Sequence, residues 1–166
     1  MRGGEAKVKG DTKVLAVLQE VLKAELTAIN QYFLHAEMCS NWGYYNLYEK
    51  TRKESIEEMK HAEGLIERIL LLDGTPSLNE YFKINVGRNV QEQLRNDLQL
   101  EYDAVARLND GIKTCVEAGD NGSRELLQKI LVDEEHHIDW LEGQLHAIEE
   151  TGIQNYLAQQ LKKEEE

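Results

Sequence analysis

The chain has 166 residues, with 31 acidic and 19 basic side chains and a formal charge of −12. That length suits one domain with its own core. The acid excess excludes a basic footprint for nucleic acid or for an anionic membrane surface, and no apolar run is long enough for a transmembrane helix.

Residues 1–8 carry charge but no apolar stretch, so they are expected to be an extension rather than a secretory signal. The domain is expected over 9–166. Cys39 and Cys115 form no CxxC pair, which fits a reducing cytoplasm and two thiols used for packing.

Four long segments then show a period near 3.6, the mark of amphipathic helices. The first stripe is Leu15, Leu18, Leu22, Glu25, Ala28/Ile29, Tyr32 and Ala36, ending near Cys39–Gly43. The second is Leu47, Thr51, Glu54, Glu58, His61, Leu65, Arg68/Ile69 and Leu72. The segment from Asp73 to Asn89 holds the only proline, Pro76. The third stripe is Val90, Leu94, Leu98, Glu101, Val105, Leu108 and Ile112. The fourth is Leu127, Ile130/Leu131, Glu134, His137/Ile138, Leu141, Leu145 and Ile148, and a short fifth helix is expected over 154–161 after Gly152.

The turns at 41–43 and 119–122 are short, so they predict two antiparallel hairpins. A helix of about 30 residues is roughly 45 Å long, and an extended 17-residue link reaches roughly 56 Å. The link between the hairpins can therefore cross the bundle lengthwise. The expected fold is all-α, a ferritin-like four-helix bundle with one long crossover.

Charge inside the apolar stripes is the anomaly. Glu25, Glu58, Glu101 and Glu134 each lie on an inward face, one per helix. His61 and His137 follow the second and fourth at i+3, which places each on its glutamate's side of the helix. Glu25 to Glu58 and Glu101 to Glu134 are both 33 residues, and Glu25 to His61 and Glu101 to His137 are both 36. The midpoints fall in or beside the two turns, so all six side chains are expected at one level of the core.

Four buried carboxylates need compensation, and two divalent cations with neutral imidazoles supply it. Oxygen and imidazole ligands suit iron or manganese. Bundles with di-iron or di-manganese carboxylate sites use this same set of side chains. A lone Glu-x-x-His is far more often a solvated helix face; two of them with two matched glutamates are not. His136 also stands at i+3 from Asp133, but the stripe favours His137 and turns His136 outward. His35 and His146 read as partly exposed.

The chain resembles the bacterioferritin family. The resemblance rests on Asn30-Gln31-Tyr32-Phe33-Leu34-His35-Ala36, Glu54-Ser55-Ile56, Glu58-Met59-Lys60-His61-Ala62, Ile66-Glu67-Arg68-Ile69-Leu70, Asp133-Glu134-Glu135, His137-Ile138-Asp139-Trp140-Leu141-Glu142 and Gln154-Asn155-Tyr156-Leu157. It implies a 24-subunit cage built of dimers that stores ferric mineral, with two iron ions in each subunit. Glu25 and His61 would be terminal ligands of one iron, Glu101 and His137 of the other, and Glu58 and Glu134 would bridge. Tyr32 and Trp140 would stand beside the centre as electron donors.

By periodicity Met59 is a packing methionine on the face of Ile56, Ile66 and Leu70. The resemblance instead makes it an axial ligand of haem b shared between two subunits. It also implies Fe(II) oxidation by dioxygen or hydrogen peroxide, and release driven by a small iron–sulfur ferredoxin. Lys53 and Glu57 depart from an inner-surface iron site known in some members. The alternative is a peroxide-reducing enzyme of the rubrerythrin type, although its usual CxxC-bearing domain has no counterpart here.

Overall fold

The computed structural model describes residues 10–161 and carries five helices: α1 (Thr12–Trp42), α2 (Tyr45–Leu71), α3 (Val90–Glu117), α4 (Asn121–Thr151) and α5 (Ile153–Ala158). No strand occurs among the described residues, as the stripes predict. The extension expected over 1–8 lies outside the described residues.

Side-chain caps set where the helices start. Asp11 accepts from the Lys13 and Val14 amides, Asn89 from Glu92, and Asp120 from Ser123, each satisfying amides that the first turn leaves free. The Asp120 cap explains why α4 begins inside the expected 119–122 turn. Arg68 of α2 reaches Asp120 at 2.8 Å and the Ser123 hydroxyl at 3.0 Å, tying one hairpin to the other.

Gly43 and Gly119 close α1 and α3 with φ of 86° and 69°. The amides of Tyr44 and Asp120 then reach back to the carbonyls of Cys39 and Cys115, both at 2.9 Å. Only glycine adopts that φ without strain. α5 starts one residue earlier than expected and ends three earlier. Its closing bonds, Gln159 to Tyr156 and Gln160 to Leu157, tighten the last turn to i−3.

α1 packs on α2, α3 on α4, α1 on α3 and α2 on α4, so the helices run round the bundle in the order α1, α2, α4, α3. The crossover runs along α1 from its start towards its end. Gln19 exchanges two hydrogen bonds with Ser77, and Lys23 lies over the Phe82 ring. Thr27, Gln31 and His35 accept the backbone amides of Phe82, Asn85 and Gly87 at 2.9, 3.1 and 2.9 Å. These five side chains recur every fourth residue and form one polar rail on α1. The rail supplies hydrogen-bond acceptors to a segment with no secondary structure of its own.

His35 departs from the sequence reading. It is 1% exposed rather than partly exposed. Its Nε2 accepts from Gly87, so the proton sits on Nδ1, which donates to Asp97 Oδ1 at 2.9 Å. The same oxygen accepts from Gln31 Nε2 at 2.8 Å.

The apolar core is in two parts. One gathers Leu18, Leu22, Leu65, Leu108, Leu127 and Ile130; the other gathers Cys39, Leu47, Leu94, Leu141, Ile148 and Tyr156. Cys39 and Cys115 are free and buried, as expected of packing thiols. Between the two parts lies a buried layer of polar and charged side chains.

Candidate metal centre

The six side chains singled out by spacing meet in that layer. Glu25, Glu58, Glu101 and Glu134 are each at most 2% exposed, and His137 is 6% exposed. Their donor atoms fall into two groups, Glu25–Glu58–His61–Glu134 and Glu58–Glu101–Glu134–His137, each within 4.8 Å of one another. Glu58 and Glu134 belong to both. One carboxylate per group, Glu25 or Glu101, and one imidazole belong to that group alone.

Both histidines turn Nδ1 inward. His61 Nδ1 lies 3.2 Å from Glu58 Oε2, 3.2 Å from Glu134 Oε1 and 3.6 Å from Glu25 Oε2. His137 Nδ1 lies 3.1 Å from Glu58 Oε1 and 3.6 Å from Glu101 Oε1. The outward nitrogens meet other carboxylates. His61 Nε2 is 2.8 Å from Asp133 Oδ2, and His137 Nε2 contacts Glu54 and lies 3.1 Å from Glu57 Oε2. Each imidazole is thus fixed in rotation by a carboxylate behind it, the arrangement that orients metal-ligating histidines.

The electrostatics of the layer call for cations. Burial, and then the neighbouring Glu58, hold the Glu25 carboxyl well above its ordinary range. Burial also raises Glu101. Burial opposes a charge on His61, but its hydrogen bonds to Glu25 and Glu58 outweigh this and push it up to about 11. His137 is raised in the same way, with Glu101 and Glu54 overcoming its burial. Even with two imidazolium ions, four carboxylates leave excess negative charge where water is absent. Glu101 Oε2 is buried with no hydrogen-bond partner among the described residues, and Glu58 Oε1, Glu134 Oε1 and His137 Nδ1 are buried with only ion-pair contacts at 3.1–3.2 Å that lack hydrogen-bond geometry. Buried polar atoms left without good hydrogen bonds on this scale are rare in proteins. They converge on the two places where a divalent ion would find oxygen and nitrogen donors.

The remaining expected residues divide. Tyr32 is buried, and its hydroxyl donates to Glu101 Oε1. Trp140 lines a cavity of about 10 Å³ with Tyr32, Asp97 and His137. Met59 is 55% exposed and faces away from the centre, with Ile56 and Leu70 exposed on the same side of α2. His136 is exposed, as the stripe predicts. Lys53 is exposed, whereas Glu57 stands behind His137.

The supporting carboxylates Asp133, Glu54 and Glu57 were not read from the sequence as part of the site. Glu54 carried a signal, since it lies on the second inward stripe one turn before Glu58. Asp133 and Glu57 carried none beyond standing directly before a ligand.

Similarity to known proteins agrees with this geometry. The ferritin-like domain family matches residues 15–151. Bacterioferritin of Mycobacterium leprae (strain TN) is 49% identical over 152 residues, 92% of this chain and 96% of its own length. Bacterioferritin BfrA of Mycobacterium tuberculosis (strain ATCC 25618 / H37Rv) is likewise 49% identical over 152 residues, with 92% and 96% covered. The bacterial ferritin of Synechocystis sp. (strain ATCC 27184 / PCC 6803 / Kazusa) is 46% identical over 155 residues, with 93% and 99% covered. With the domain matched along most of its length and relatives aligned nearly end to end, the chain belongs to the bacterioferritin family.

Proposed function

We propose that this chain is an iron-storage subunit with ferroxidase activity at an intrasubunit pair of iron sites. Two overlapping donor sets that share Glu58 and Glu134 carry this reading. Glu25 and His61 hold one Fe(II), Glu101 and His137 the other, and Glu58 and Glu134 bridge them. Held side by side, the two Fe(II) ions each give one electron to a single oxidant molecule. Dioxygen takes both electrons with two protons and leaves as hydrogen peroxide. When hydrogen peroxide is the oxidant, its O–O bond breaks and two protons complete two waters. Carboxylates favour the higher charge of Fe(III), and Tyr32, whose hydroxyl donates to Glu101, orients that ligand.

The same reading assembles 24 chains from dimers around a ferric mineral, in the cytoplasm. Met59 of two chains would hold haem b between them. The exposed soft thioether on an apolar helix face fits that group. Bound there, haem supplies electron transfer, with a small iron–sulfur ferredoxin as donor during release.

The test is a stopped-flow titration on the purified assembly. Fast Fe(II) oxidation saturates at two ions per chain, and the particle sediments as about 24 chains of 19.1 kDa. Saturation at one ion per chain, or no fast phase, overturns the reading.

The pH dependence follows in sign. Without metal, His61 is pushed up to about 11 and His137 is raised as well, so each imidazole retains a proton that a cation must displace. Metal loading therefore releases protons, and apparent affinity falls as pH falls. With at least one proton released per ion, affinity falls by about tenfold or more per pH unit between pH 7.5 and 6. Calorimetry with Co(II) in two buffers of different ionisation heat counts those protons directly; a count of zero contradicts the expectation.

A further inference from the structure

A cavity of about 220 Å³ opens between α1, the crossover and α3, and its floor is Glu25 and Glu134. Ala24, Ala28 and Ala104 contribute methyl groups to its walls. It therefore reaches the candidate centre from the side facing away from both imidazoles. We propose that this opening is the oxidant's entrance, and that Lys23, Lys83 and Arg107 close it to divalent cations. The proposal rests on the ferroxidase reading and adds which of its two substrates uses this face.

The mouth is built around Phe82 of the crossover. Lys23 Nζ lies 4.3 Å from the ring centre, and Arg107 Cζ lies 4.5 Å from it. Both contacts are cation–π pairs. Phe82 is further anchored by its amide, which donates to Thr27 Oγ1 at 2.9 Å. Lys83 follows at the rim. None of the three cations takes part in an ion pair among the described residues. The acid at the mouth, Asp103, has Oδ1 engaged by Gln99 Nε2 at 2.9 Å. A hydrated dication entering beside the Phe82 ring meets Lys23 and Arg107, each within 4.5 Å of the ring centre and so inside the screening length of about 8 Å, with Lys83 on the lining. An uncharged dioxygen or hydrogen peroxide molecule meets no such barrier.

The opposite groove has the reverse character. Because the helices follow the order α1, α2, α4, α3, the α2–α4 groove faces away from the α1–α3 opening. There the outer nitrogens of His61 and His137 meet Asp133 and Glu57, whose side chains are 53% and 36% exposed. Two solvent-reaching carboxylates beside the ligands favour cation approach from that side. The centre is thus reached by charge-sorted routes from its two sides.

Two variants of the full assembly test this. Ala24→Leu narrows the cavity. It is expected to raise the apparent KM for hydrogen peroxide several-fold, while the rate of Co(II) uptake, followed by visible absorption, stays unchanged. Lys83→Glu alters an exposed side chain and leaves the fold intact. It is expected to speed Co(II) uptake at low salt by about tenfold, an effect that salt removes. The proposal is overturned if Ala24→Leu leaves the oxidant dependence untouched or slows Co(II) uptake equally, or if Lys83→Glu leaves uptake unaltered. Co(II) uptake and Fe(II) oxidation by the unsubstituted chain report on the ferroxidase reading separately, so failure of one is not mistaken for failure of the other.

Discussion

Glu25→Gln abolishes fast Fe(II) oxidation and raises the melting temperature of the metal-free chain. The two effects have one origin. Glu25 is 2% exposed, and its carboxyl is held up by burial and by Glu58. It occupies a layer already crowded with negative charge. The amide keeps the shape and removes the ionisable group. His61 loses one partner at 3.6 Å but keeps Glu58 and Glu134, both at 3.2 Å, and Asp133 at 2.8 Å.

A buried carboxyl held above its ordinary range costs the folded chain about 1.4 kcal/mol for each pH unit of that displacement at neutral pH, a cost that the amide does not carry. That corresponds to about 2–4 °C per kcal/mol in a chain of this size. Activity moves the other way. Losing a carboxylate that merely supports a ligand costs about 10–100-fold, so losing a terminal ligand is expected to cost more than about 100-fold in the fast phase. Calorimetry of the metal-free variant and stopped-flow oxidation measure the two arms. Unchanged kinetics remove Glu25 from the centre. A lowered melting temperature shows that its charge is compensated without metal.

The same conflict between stability and charge explains what could be read from the sequence. Four glutamates inside leucine-rich stripes are visible because they break a strong pattern, and the equal spacings follow from two hairpins closed by short turns. Gly43 and Gly119 announce those turns. The outer carboxylates give no such contrast. Asp133 and Glu57 sit beside the ligands on exposed positions, and an acid there looks like any solvated helix residue.

His35 illustrates the opposite failure. Its rail of Gln19, Lys23, Thr27 and Gln31 is polar, so by periodicity it belongs to solvent. The face is instead covered by the crossover, whose backbone amides Thr27, Gln31 and His35 accept. An irregular segment has no period, so its position against α1 cannot be read from spacing. Asp97, which makes His35 a buried pair, lies on another helix 62 residues away. The cavity that reaches Glu25 is bounded by that irregular segment, α1 and α3, so it was equally out of reach.

Met59→Leu is expected to eliminate haem binding while leaving iron oxidation intact. The two functions separate because neighbouring residues on α2 point about 100° apart. Glu58 is fully buried in the iron layer, and Met59 is 55% exposed. Leucine is close to methionine in volume, so the substitution costs under about 1.5 kcal/mol even in a packed setting. It removes the one atom that matters, a thioether sulfur able to ligate a soft metal centre. Ile56, at 37% exposed, and Leu70, at 58%, remain to cover an apolar ring system or a second copy of the chain.

The purified variant should show no Soret band after haem reconstitution. Its sedimentation and its stoichiometry of fast Fe(II) oxidation should match those of the unsubstituted chain. On the proposed role of haem, reductive iron release should slow in the variant. A retained Soret band would assign the axial ligand elsewhere and return Met59 to interface packing. Loss of assembly together with haem would make Met59 an interface residue first. Glu58→Ala run in parallel should show the reverse pattern, with the Soret band kept and the fast phase lost, since that carboxylate is shared by both donor groups.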